Sequence, residues 1–480
     1  MKSFSLFIFI FVAAHFSWAQ TANFSLPIKN SKNYDYAVLG KTTEGILLYK
    51  YNKYESLVEC YDVSMNLKWS KNAEMDSKTN TIEHISVHNN KLYTFFSYKR
   101  DGNVILAAQR FSAGLNSEGK NVSLDSFLTE RSAGDVDWFV KHSEDKRFYM
   151  AYYVKQETIN STAIQTILLD DKLKIISRKT ITVAEPKKNM ADELLDNNGN
   201  FYFFVANQDR SGFGSKAIFT KPRFYTLKKN EAISAVHFLS NDTKRFNSVF
   251  AKIDNINRCF ILAGIAKEKS SEKNIPGFNV SKWLLDKDSL AVNQLETFTN
   301  EMVKEMTLTP ETEIGNFEIE DIILRFDGGM VLVAENTYIT QQTVEIPNYY
   351  SPAFPTVRTY TYFHKDDIFI QSFDASGLAE WHQLLHKKQT TENDGSAYSS
   401  FGIVKGKNSI KLFYNESIEE QSNLASYSIK QNGATIRNSI YGSHQKNLFL
   451  IPKKASQVSL YEAIIPSENR GYLQFMKIDF

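Results

Sequence analysis

The stretch DIFIQSFDASGLAEWHQLLH, Asp367 to His386, most constrains what this chain can become. An apolar, β-branched run (Ile368 to Phe373) meets Asp374-Ala375-Ser376-Gly377, and a second extended run follows with Trp381. Such runs suit a pleated, half-buried surface, while Asp and Gly supply turn conformations. The stretch therefore reads as strand, tight turn, strand. YDVSMNLKW repeats it with Asp62 and Trp69 at the same spacing. Related apolar–turn–extended segments lie around Ser112, Asp170, Lys228, Asp286, Lys430 and Asp479.

These marks fall at 62, 112, 170, 228, 286, 374, 430 and 479, at intervals of 50, 58, 58, 58, 88, 56 and 49. Each interval holds two further strand-like runs, such as FEIEDIILRF and GMVLVAENTYI, or NLFLIPKK and SLYEAIIP in the last. Four strands per unit at this period is the pattern of a β-propeller blade. The fold class is all-β, a propeller of eight four-stranded blades, with seven the alternative. Turn pairs Asn89-Asn90, Asn198-Gly199 and Gly328-Gly329 sit where first and second strands join. The last unit stops at its third strand. The spare segment Asn23 to Ile28 is expected to supply the fourth and close the ring, removing open sheet edges. The competing fold is two packed β domains divided near 300–316.

The 88-residue interval carries two insertions. Residues 300–316 are a polar, helix-compatible stretch between the fifth and sixth blades. Residues 340–366 lie in the sixth blade, where Thr359-Tyr360-Thr361-Tyr362 alternates as a strand does. A proline-bearing tip (Pro347, Pro352, Pro355) divides the insertion, so it reads as a long β-hairpin arm.

Lys2, the apolar run Phe4 to Ala14 and Ser17-Trp18-Ala19 form a secretory signal at 1–19, leaving 20–480 as one propeller domain. The apolar run is shorter than the about 20 residues of a membrane helix, so no integral segment is expected after cleavage. Lys+Arg of 56 against Asp+Glu of 54 forms no basic excess, which argues against a nucleic-acid partner. Cys60 and Cys259 fall four units apart and read as buried structural thiols rather than a disulfide.

Candidate chemistry is sparse. His382 and His386 would suit zinc on a helix, but in a strand they stand about 13 Å apart. Asp196-Asn197-Asn198-Gly199-Asn200 misses the calcium-loop spacing and reads as a hairpin turn. The pairs Asp135/Asp137 and Glu318/Glu320 each alternate on a first strand, where channel carboxylates could hydrolyse or cleave a glycan. The favoured assignment has no catalytic residue, no metal and no cofactor. Binding is assigned to the arm, where Tyr349, Tyr350, Phe354, Arg358, Tyr360 and Tyr362 gather residue types that dominate interfaces. The expected partner is an envelope protein or a glycan.

GGMVLVAENTYI, the Tyr/Thr-rich hairpin, DIFIQSFDASGLAEWHQLLHKKQ and SAYSSFGIV resemble a group of exported, largely uncharacterised Bacteroidetes proteins of β-propeller type, over 315–415. The resemblance implies the periplasm or surface of a Gram-negative envelope, and no catalytic residue. It leaves room for a structural part of a secretion or motility complex. D-x-x-G-x-x-x-W also resembles quinoprotein-type blades, but the spacing, the missing Thr and the irregular repetition depart from them, so quinone binding is not carried over.

Overall fold

The computed structural model describes residues 22–52, 54–73, 80–128, 138–209, 217–231, 235–240, 243–268, 276–306, 316–346, 356–418, 423–442 and 448–480. The signal segment 1–19 lies outside them. The architecture is all-β, built from four-stranded antiparallel sheets whose strands pair in chain order.

The first sheet holds Asp35–Lys41, Ile46–Tyr51, Ser56–Tyr61 and Leu67–Asn72; the second spans 80–128 and the third 139–183. The fourth (Met190–Leu195, Phe201–Asp209, Ile218–Leu227, Ala235–Phe238) and fifth (Lys244–Asp254, Cys259–Glu268, Gly277–Leu284, Ser289–Thr297) are joined in the strand ladder by one register pair, Phe219 with Phe246, and share an apolar core. The sixth is Phe317–Leu324, Met330–Ile346, Thr356–Phe373 and Ala379–Leu385; the seventh spans 401–442. The last has Ser456–Gln457, Glu462–Asn469 and Tyr472–Asp479. Its fourth strand comes from the N-terminus, where Ala22–Phe24 pairs with Tyr472–Asp479.

The N-terminal strand differs from expectation in one respect. It is two pieces, Ala22–Phe24 and Ile28–Lys29, on one partner strand. Pro27 has no N–H to give a ladder, and the Ser25 Oγ accepts Phe475 N–H (3.0 Å) across the break. The described part of NLFLIPKK, residues 448–454, likewise forms no strand. Leu450 makes a lone bridge to Ser467, and Pro452–Lys454 turns as a 3₁₀ helix. Proline at the start of that turn matches its fixed φ.

Apolar cores lie between successive sheets. Phe201, Phe203, Tyr152 and Leu168 fill the space between third and fourth; Phe278, Phe369, Phe317 and Ile265 that between fifth and sixth. A further core joins Ile46, Leu48 and Tyr61 of the first sheet to Ile464, Leu473 and Phe475 of the last. The insertion at 300–316 begins as the helix Asn300–Met306, whose Met302 and Met306 enter the fifth–sixth core.

Three of the turns between third and fourth strands share one geometry. In Asp62–Asn66, Asp170–Lys174 and Asp374–Leu378 the Asp Oδ1 accepts the N–H four residues on, at 2.8–2.9 Å. The residue before that acceptor's partner is left-handed: Met65 (φ 66°), Leu173 (φ 61°) and Gly377 (φ 84°). Cys60 and Cys259 are buried free thiols in the first and fifth sheets.

Candidate functional site

The arm is the outer half of the hairpin Met330–Ile346 / Thr356–Phe373. A register shift lies between Glu335 and Thr337, after which the two strands pair without interruption from Thr337–Lys365 to Ile346–Thr356. Side chains alternate across a ribbon. The pairs Tyr338–His364, Thr340–Tyr362, Gln342–Tyr360 and Val344–Arg358 therefore share one face. Arg358, Tyr360 and Tyr362 are thus brought together, with Arg358 exposed and both tyrosines half-buried. Tyr349, Tyr350 and Phe354 lie outside the described residues.

The face is seated at its base. The Tyr338 and His364 rings stack at 4.2 Å, and the Tyr338 hydroxyl donates to Asp366 Oδ2 (3.1 Å). A short strand, Thr390–Glu392, pairs with Tyr362–His364, and Asn393 donates its N–H to the Thr361 carbonyl (2.9 Å). Beyond this grip the arm stands in solvent: Val357 is 58% exposed.

Beneath the arm lies a charged network in the protein interior. Lys387 Nζ is 2.8 Å from Glu335 Oε1, and neither side chain is exposed. Lys365 Nζ is 3.3 Å from Glu335 Oε2 and 3.4 Å from Glu320 Oε1. Ser400 Oγ donates to Glu335 (2.7 Å), Gln389 Oε1 accepts from Lys387 (3.0 Å) and from Ser400 N–H (2.8 Å), and Gln389 Nε2 donates to the Asn415 carbonyl (2.6 Å). The network so joins the sixth sheet, the 386–400 connection and the seventh sheet. Burial pushes the Lys387 ammonium below its usual range against the pull of Glu335. Burial acts the same way on Lys365, but Glu335, Glu320 and Glu318 outweigh it and its pKa is raised. Burial raises the Asp366 and Glu320 carboxyls.

Of the carboxylates expected on first strands, Asp135 and Asp137 lie outside the described residues. Glu320 falls at a β-bulge, between Ile319 and Asp321, and is turned to Lys365. First strands are cross-linked by other charges: Lys141 to Asp192 (3.1 Å) and Lys252 to Asp321 (2.9 Å), with Lys405 on the second Asp321 oxygen. His382 stacks on Phe369 (5.6 Å) and His386 approaches Asp367 (3.5 Å); among the described residues no group of His, Cys, Asp and Glu is placed to hold a metal. Asp196 to Asn200 is a hairpin turn, its carboxylate taken by Asn198 and Asn200 N–H and by Arg258 (3.2 Å).

Sequence reasoning missed Glu335, Lys365, Lys387, Gln389 and Ser400. The available signal was a charge inside an apolar run, as in VLVAEN, which in a buried strand demands a partner.

No family model matches the chain, and no curated protein matches it. Among solved structures it is similar to Sqt1 from Chaetomium thermophilum (TM-score 0.39, 8% identity, 89% of this chain and 92% of that one). It is also similar to a Synechocystis apocarotenoid oxygenase mutant (TM-score 0.37, 11% identity, 88% and 92%). A third is a PL25 ulvan lyase of the polysaccharide lyases (TM-score 0.36, 9% identity, 82% and 90%). At these scores the likenesses transfer neither an activity nor a binding partner to this chain.

Proposed function

We propose that the chain is an exported β-propeller of eight blades, closed by its N-terminal strand, that binds a protein of a Gram-negative envelope through the arm. Support for the ring is the sequence of apolar cores returning from the last sheet to the first, together with the pairing of Ala22–Phe24 on Tyr472–Asp479. Export rests on the signal pattern at 1–19, and the envelope setting on the resemblance over 315–415.

The observation that carries recognition is the arm's single face of Arg358, Tyr360 and Tyr362, gripped at its base by Thr390–Glu392. Tyr and Arg anchor interfaces because each offers large contact area with a polar end. Among the described residues, no strand pairs with the outer edges of the ribbon over 340–346 and 356–360. Unpaired strand edges offer N–H and C=O rows that fit a peptide backbone, which a glycan lacks. A protein is therefore favoured over a glycan for this surface.

The test is affinity capture from envelope extract with the full mature chain and with residues 340–362 deleted. Recovery of a discrete partner by the full chain alone, with both proteins folded by circular dichroism and by cooperative thermal unfolding, supports the reading. Equal recovery by the deleted protein overturns the arm's role.

A further inference from the structure

The fourth strand of a sheet covers the turn of the next sheet. One residue before the third strand ends, its cross-strand partner is Trp69 in the first sheet (opposite Cys60) and Trp381 in the sixth (opposite Ser372). Trp381 donates its Nε1–H to the Gln431 carbonyl (3.1 Å), and a Cβ on Gly433 would lie 2.8 Å from its ring. Two residues further on, Lys71 caps the Gly114 carbonyl (2.6 Å) and Lys179 caps those of Lys228 (2.6 Å) and Lys229 (3.0 Å).

In the fourth sheet these two positions are Ala235, opposite Thr226, and His237, opposite Phe224. The methyl of Ala235 cannot fill the volume of an indole. A cleft of about 200 Å³ lies over the fifth sheet's turn, lined on the fourth sheet by Thr226, the cross-strand partner of Ala235, and by His237. It opens on the turn-bearing side, at the opposite end of the strands from the arm: Lys282 of the fifth sheet reaches the Gly328 carbonyl (2.8 Å), in the turn that starts Met330–Ile346.

The inner wall is aromatic. Phe224 lies parallel to Phe260 at 4.1 Å, and the His237 ring sits between Phe224 (4.7 Å) and Trp283 (4.8 Å). The rim is polar and balanced in charge. Asp288 Oδ1 accepts from Trp283 Nε1 (3.2 Å) and faces His237 Nδ1 (3.3 Å). Arg258 bridges Asp196 (3.2 Å) and Asp286 (3.3 Å), while Asp286 and Asp288 remain 68% and 66% exposed on their side chains.

We propose that this cleft binds a single pyranose ring of a neutral glycan. A sugar ring presents an apolar C–H face and a hydroxyl edge. Trp283, the one ring of the wall that is only half-buried, suits the first; carboxylate acceptors and guanidinium donors suit the second. Carboxylates at the rim disfavour an anion, and Arg258 with Lys228 disfavours a cation. The volume is below the roughly 300–1,000 Å³ of pockets for larger ligands, so one ring fits rather than a chain. The site stands on its own observations and does not depend on the arm.

The test is calorimetric titration of the full mature chain with methyl glycosides of glucose, galactose, mannose and N-acetylglucosamine. Tetramethylammonium and acetate serve as ionic probes. At least one glycoside should bind with Kd of about 1 mM. Ala235→Trp, which restores the indole, should weaken it by at least about tenfold. Asp288→Asn, at an exposed position, should weaken it in the same direction if the tryptophan variant does not fold. The 340–362 deletion should bind the glycoside as the full chain does. No glycoside binding at about 50 mM, preference for either ionic probe, or unchanged affinity in a folded Ala235→Trp protein would overturn the proposal.

Discussion

Lys387 Nζ and Glu335 Oε1 meet at 2.8 Å with neither side chain exposed, directly under the strands that become the arm. Two charges removed from water are tolerable only as a pair, and loss of one leaves the other without a counterion. Glu335→Met or Lys387→Met alone should lower unfolding free energy by about 3–5 kcal/mol, whereas the two together should recover much of it. Urea denaturation of the three variants gives the cycle. A single substitution costing under about 1 kcal/mol would show that the pair is not isolated from solvent.

Gly433 and Gly471 separate backbone strain from crowding. Both have positive φ (81° and 78°), but a Cβ on Gly471 meets nothing within 4 Å, whereas on Gly433 it meets the Trp381 ring. Gly471→Ala should cost about 1 kcal/mol, the left-handed penalty alone. Gly433→Ala should cost about 1–3 kcal/mol more. Equal thermal shifts in the two variants would mean that the indole gives way without cost.

Glu462 ties the last sheet to the first. It lies 2.7 Å from Lys41 and 3.1 Å from Lys477. Burial works to raise its pKa, but hydrogen bonds from Lys41, Ser459 and Lys477 prevail and take it from 4.5 to about 2. A depressed carboxyl contributes stability that is present above the unfolded value and lost as pH falls through the folded one. The window is thus about 4.5 down to about 2. Glu462→Gln should flatten the acid limb there, by about 1–2 kcal/mol after allowance for partial exposure.

His84 acts in an earlier window. Its ring is buried beside Phe95 and 5.7 Å from His142, and burial, with the charges of His142 and Lys146, lowers its pKa from 6.5 to about 4. The folded state therefore loses stability as pH falls from 6.5 to about 4, where the unfolded chain takes the proton more readily. His84→Leu should reduce the slope of melting temperature against pH over that range and leave it unchanged above 7. An unchanged slope would place the acid sensitivity elsewhere.

Arg358→Ala and Tyr360→Ala should reduce partner capture without moving the melting temperature, because the arm joins the sheets only at its base. Tyr362→Ala should do both, since Tyr362 also pairs with Glu392 in the gripping strand. A thermal shift from Arg358→Ala as large as that from Tyr362→Ala would place Arg358 against the sheets.

Much of this was legible because it is local. The Asp374 turn is closed by its own Leu378 N–H, and Arg358, Tyr360 and Tyr362 share a face because strand period is two. Local chemistry also marked the hairpin between Asp196 and Asn200 and the alternation that makes the arm. It overreached at NLFLIPKK, where Pro452 starts a 3₁₀ turn in an apolar run.

What the sequence by itself determined is strand, turn, repeat and face, each set by residues within a few positions of one another. Tertiary structure alone decided which sheets are neighbours. That choice put Trp381 over Gly433, set Lys387 against Glu335 past the register shift, and left Ala235 opposite a turn it cannot cover. The physical reason is that an indole's cover, a buried charge's partner and a cleft's volume depend on the side chain supplied by the next sheet. Strand periodicity does not encode that side chain.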